Sequence, residues 1–92
     1  MKFLLVVKLS LSKPFAHWAE RFDQHSQARA AAGIEDVFRH PVIGEQAAVY
    51  AVRTTTPRAV HDMIYDPAVR GHIEESGFVI GSEQILVCDG EV

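Results

Sequence analysis

A single cysteine, Cys88, stands among the 92 residues, so no disulfide can close within the chain. A reducing, cytoplasmic setting is the expectation, with Cys88 a small buried hydrophobe at the end of an apolar run rather than a reactive thiol. No apolar stretch approaches the roughly 18 to 20 residues needed to cross a bilayer, so no membrane partner is expected. The opening Met1-Lys2-Phe3-Leu4-Leu5-Val6-Val7 has the look of a signal peptide. Lys8 interrupts it, however, and no small-residue cleavage site follows, so it reads as a strand. Basic residues are outnumbered nine to twelve by acidic ones, and they are scattered rather than gathered in the stripe that holds nucleic acid. Glycine-rich phosphate loops, a nucleophile elbow and a Cys-His arrangement are all lacking, which removes support for phosphoryl and acyl transfer. No low-complexity tract or internal repeat is visible.

What is present suits one folded domain spanning 1–92. A composition 48% hydrophobic and 23% charged is an ordinary globular balance, far from that of a disordered chain. A domain this short still buries only about 60% of its unfolded surface, which makes self-association a common supplement.

Residues 2 to 11 alternate as a strand, with Phe3, Leu5, Val7, Leu9 and Leu11 on one face and Leu4 and Val6 at the centre of the other. Ser12 reads as an N-cap and Pro14 as a first-turn proline for a helix whose stripe is Phe15, Trp18, Ala19 and Phe22. The pattern loosens at Asp23-Gln24-His25-Ser26, where a break is expected, and resumes over Gln27 to Ala32 before Gly33. Ile34, Val37 and Phe38 mark a second strand that ends near His40-Pro41. Residues 46 to 54 form a third, joined to the second as a hairpin. Thr56-Pro57 repeats the cap-and-proline start for a helix carrying Val60, Met63 and Ile64. A further helical piece bears Val69 and Ile73, and Phe78 to Cys88 reads as the last strand.

Two helical regions separated by a hairpin, with a strand at each end, give a ferredoxin-like βαββαβ order in the α+β class, with a four-stranded antiparallel sheet. The helices cover one sheet face. Leu4 and Val6 then have no cover within the chain, and a second copy pairing through that face is the expected partner.

The series Trp18, Phe22-Asp23, Arg29, Gly33-Ile34, Phe38-Arg39 and Ile73-Glu74-Glu75-Ser76-Gly77 runs over nearly the whole chain. It resembles a family of small uncharacterised bacterial proteins within the dimeric α+β barrel superfamily. The resemblance implies two ferredoxin-like units packed sheet to sheet. It implies no single activity, because that superfamily spans cofactor-free quinol-forming monooxygenases, haem-degrading enzymes, isomerases and domains without known chemistry.

Among chemistry-bearing residues, His17, His25, His40, His61 and His72 lack the i, i+4, H-x-H or H-E-x-x-H spacings of a metal site, so no metal is expected. Haem, which needs one axial histidine and an apolar pocket, is the one conceivable cofactor. His40 follows Phe38-Arg39 at a strand end where a side chain overhangs a pocket mouth or simply solvates. His25 lies at the helix break. Trp18, Phe22 and Tyr50 either line an apolar cavity between helices and sheet or fill the core, and a central-strand tyrosine needs a hydroxyl partner from a pocket or a backbone carbonyl. Glu74 and Glu75 near a helix C-terminus oppose the macrodipole unless paired, for instance with Arg70 or Arg39. Two functions fit. One is a homodimeric structural or binding domain for a small apolar molecule. The other is a small cofactor-independent monooxygenase or isomerase for an aromatic or quinol-like substrate, moving protons through His40 and Tyr50.

Overall fold

The alternation in the first strand sets the architecture. In the computed structural model, which describes all residues from Met1 to Val92, β1 (Phe3–Ser10) is fully buried at Leu5 and Val7 and lies at the centre of the sheet. The remaining elements follow as α1 (Phe15–Gln24), α2 (Ser26–Ala31), β2 (Glu35–Pro41), β3 (Ala47–Thr54), α3 (Ala59–Ile64), α4 (Arg70–Glu75) and β4 (Gln84–Asp89). The four strands make one antiparallel sheet in the order β2-β3-β1-β4.

Register decides which side chains meet the helices. Leu5 lies opposite Val52, Val7 opposite Tyr50 and Leu9 opposite Ala48, so these six share one face. That face joins Trp18 and Ala19 of α1 and Val60 and Ile64 of α3 in a single hydrophobic core. The other face carries Leu4, Val6, Ala51, Phe38, Leu86 and Cys88, as their pairing positions require. No element of the chain lies over it, and Leu86 is 62% exposed.

The expected helix break falls at His25, which separates α1 from α2. Ser12 does not cap α1. The helix begins after Pro14 without a side-chain cap, and the Ser12 hydroxyl donates to the Gly77 carbonyl at 3.3 Å, the same oxygen that takes the Ser12 N–H at 2.8 Å. Both bonds tie Ser12 to a turn 65 residues away, and the N-cap position falls two residues further on, at Pro14, so the Ser12 oxygen does not accept from the first-turn N–H groups. Thr56 does not cap α3 either; its N–H donates to the Thr54 hydroxyl oxygen at 3.1 Å, and α3 starts after Arg58. The last strand is shorter than its apolar run. Phe78 makes one isolated bridge to Leu11, Gly81 turns the chain at φ +99°, and pairing resumes only at Gln84. Cys88 is half-buried on the uncovered sheet face rather than in the core.

Gly77 is the sharpest sequence constraint on this join. It has φ +94°, and a Cβ there would lie 2.8 Å from the Lys13 Cβ and 3.1 Å from the Lys13 nitrogen. Gly33 has φ +79° but open space around it. Gly33→Ala should therefore cost only the left-handed backbone penalty, about 1–2 kcal/mol, whereas Gly77→Ala adds a steric clash to a similar penalty. Chemical denaturation of both variants measures the difference. Equal losses would mean that Lys13 moves aside freely.

No helix is long and apolar enough to cross a membrane.

Candidate functional site

Four short helices roof the sheet, and beneath them lies a cavity of about 440 Å3. That volume falls within the range of roughly 300 to 1,000 Å3 typical of small-molecule sites. All four helices and β3 line it, so the broken helices are what make room for it.

Its aromatic wall comes from helical spacing on α1 meeting one residue of β3. Trp18 and Phe22 stand one turn apart with ring centroids 4.9 Å from each other, and both contact Tyr50, at 5.9 and 4.9 Å. These tilted arrangements are the ordinary favourable geometry for aromatic pairs. Val60, Met63, Ile64, Ile73 and Phe78 close the apolar lining from the other helix pair and its exit.

Arg29 supplies the cavity's buried charge. It is 6% exposed, and its Nε and Nη2 donate to the two Asp36 carboxylate oxygens at 2.8 Å each, while Nη2 also donates to the Phe22 carbonyl at 2.7 Å. The guanidinium carbon sits 3.6 Å over the centre of the Phe22 ring, adding a cation–π contact. Planar, bidentate pairing of this sort is what arginine does and lysine does not. No protein group accepts from Nη1.

Tyr50 is likewise 6% exposed. Burial holds its phenol well above the usual range, and the nearby Arg29 charge offsets only part of that rise, so the hydroxyl is a donor at any physiological pH. No protein group pairs with it. Every fully enclosed polar side-chain atom in the molecule has a partner. The Tyr50 hydroxyl and Arg29 Nη1 are therefore not sealed in; they open onto accessible space, and both residues line this cavity.

Two histidines stand at the mouth. His25 Nδ1 lies 2.8 Å from the Arg21 carbonyl oxygen, which can only accept, so Nδ1 carries a proton and Nε2 is the ring nitrogen left for another partner. His72 of α4 faces it with ring centroids 5.8 Å apart. No group of three or more His, Cys, Asp or Glu side chains is placed to hold a metal ion. Other charges nearby are paired on the surface: Arg21 with Glu75 at 3.1 Å, Arg70 with Glu74 at 2.7 Å, and Arg39 with Asp23 through two contacts of 2.7 Å. The hydrogen bonds from Arg39 hold the Asp23 carboxyl below its usual range.

Trp18, Phe22, His25 and Tyr50 thus all line one cavity, as their sequence positions suggested. His40 does not join them. It pairs with Val49, one residue from Tyr50, and so projects from the opposite sheet face, where it stacks on Phe38 with centroids 5.6 Å apart. Within one chain, His40 and Tyr50 have the sheet between them and cannot pass a proton to each other. Period-two alternation carries that outcome, since a strand-end histidine was placed by proximity to proline rather than by its pairing position. Arg29 was the functional residue without a local signal. It sits in an alanine-rich helix, and only the fold brings Asp36 to it.

Compared with models of known protein families, the chain matches none, and it matches no curated protein sequence.

Proposed function

We propose that this chain is a ferredoxin-like domain of the dimeric α+β barrel kind that binds a small, flat, largely apolar molecule in the cavity between its helices and sheet. Two copies pair through the uncovered sheet faces that carry Leu4 and Val6. The strand order β2-β3-β1-β4 with all helices on one side supports the first part, and the apolar, uncovered face supports the pairing.

One observation carries the binding function: the hydroxyl of Tyr50, nearly buried among apolar and aromatic groups, has no protein partner and opens into the cavity. Leaving a buried polar group unpaired costs about 1–3 kcal/mol, a cost that an acceptor on a bound molecule removes. His25 and His72, not His40, are the imidazoles within reach of such a molecule. Titration with 2-acetylnaphthalene, followed by heteronuclear NMR, is expected to give saturable shifts at Trp18, Tyr50 and Ile73. Met63→Trp, which fills the cavity from α3, should abolish them. Shifts scattered over the surface, or none that saturate, would overturn the binding function.

A further inference from the structure

We infer that the molecule bound in this cavity is neutral and presents a carbonyl oxygen, which two donors read together: the Tyr50 hydroxyl and Arg29 Nη1. This inference rests on the binding function proposed above and adds the chemistry of the ligand's polar end.

The polarity of the site fixes the first half. Arginine has five N–H donors and no acceptor. Nε–H and the two Nη2 hydrogens are spent on Asp36 and the Phe22 carbonyl, which leaves both Nη1 hydrogens unpaired. Tyr50 contributes a second donor, because its buried phenol keeps its proton. Arg29 and Tyr50 both line this cavity, and Arg29 does not line the shallow surface depression beside Asp36. At this pole of the cavity Arg29 Nη1 can only donate, and the Tyr50 hydroxyl has a proton to give, so a single ligand oxygen with two lone pairs can satisfy both groups at once.

Charge fixes the second half. The Arg29 guanidinium is already matched by the Asp36 carboxylate through a bidentate pair, so the pole carries two free donors with no net charge. Bringing a carboxylate into the cavity would add an uncompensated anion to an apolar enclosure, since the lining cation Arg21 is already held by Glu75 and Asp66 adds a negative charge. A carbonyl oxygen takes both donors without that cost. The flat aromatic wall of Trp18 and Phe22 suits a ring system attached to the carbonyl, so the ligand class is an aryl ketone or a related neutral aromatic carbonyl compound.

Three probes of nearly the same shape separate these features in calorimetric titration: 2-acetylnaphthalene, 2-isopropylnaphthalene and 2-naphthoate. The ketone is expected to bind at least about tenfold more tightly than the hydrocarbon, the factor that one added hydrogen bond of ordinary strength gives. The naphthoate should bind no more tightly than the ketone. Tyr50→Phe should reduce the ketone-to-hydrocarbon ratio by about tenfold. Asp36→Asn, which strips the counter-charge from Arg29, should shift the preference toward naphthoate by tenfold or more. Equal affinity for ketone and hydrocarbon in the unaltered protein overturns the carbonyl inference while leaving the cavity as a binding site. Tighter binding of naphthoate than of the ketone overturns neutrality. An unchanged naphthoate-to-ketone ratio in Asp36→Asn removes Arg29 from the reading pair, and an unchanged ketone preference in Tyr50→Phe removes the tyrosine. Failure of all three probes to bind overturns the binding function itself, and this inference with it.

Discussion

Trp18→Ala is expected to bring the chain close to unfolding at room temperature. Trp18 is 2% exposed and touches Phe15, Phe22 and Tyr50, so it is the hub of the aromatic cluster as well as part of the core. Truncation of a buried tryptophan costs about 3–5 kcal/mol. Small domains hold only about 5–15 kcal/mol in total, and one of 92 residues sits toward the low end. The loss is compounded by position: the vacated volume merges with a cavity already present, and merged space cannot be closed by small side-chain shifts. Urea unfolding followed by circular dichroism is the proper measurement, since the substitution removes the only tryptophan. The expected midpoint falls by one to a few molar at slopes of roughly 1–3 kcal/mol/M. A loss below about 1 kcal/mol would place Trp18 outside the packed core and make it a movable cover over the cavity.

If two copies pair as proposed, Val6→Asp is expected to separate them into single chains. Val6 lies on the uncovered face at the middle of the central strand, between Ala51 of β3 and Leu86 of β4. In a sheet-to-sheet pair related by two-fold symmetry, one carboxylate from each copy would be buried against an apolar surface near its own mate. Burying an unpaired charge costs several kcal/mol even after relaxation, so dissociation should rise by about a thousandfold or more, the equivalent of roughly 4 kcal/mol. Light scattering should report about twice 10.2 kDa for the unaltered protein and 10.2 kDa for the variant, with unchanged circular dichroism. A variant that stays paired would move the interface elsewhere, and an unaltered protein that runs as a single chain would remove the pairing altogether.

The sheet was readable in the sequence because alternation is a local signal and β1 shows it on both faces. The break at His25 was readable for the same reason, as the loss of a periodic stripe. Capping was not. Ser12 and Thr56 have the right side chains, but Ser12 is tied to distant Gly77, the Thr56 N–H donates to Thr54, and both helices start two or more residues later. Val79 and Ile80 look like strand, but Gly81 turns the chain, so β4 is shorter than its apolar run. In the site, the aromatic members followed from spacing, since α1 must point one stripe at the sheet. Arg29 depended on a contact between α2 and β2 that no local pattern encodes, and His40 depended on a register known only once β2 and β3 are aligned.

The roof and floor of the cavity differ in how they persist. The floor is a hydrogen-bonded sheet whose central strands are buried on the side that faces the helices. The roof includes three helices of only six residues each, α2, α3 and α4. Helices of that length do not stand alone in water; they exist because they rest on something. Elements of this kind belong to the low-stability end of a fold and open without the rest unfolding. The chamber therefore needs no hinge and no dedicated gate. On the binding function proposed above, a guest passes the mouth at His25 and His72, and its residence time depends on how firmly its own apolar surface holds the short helices in place.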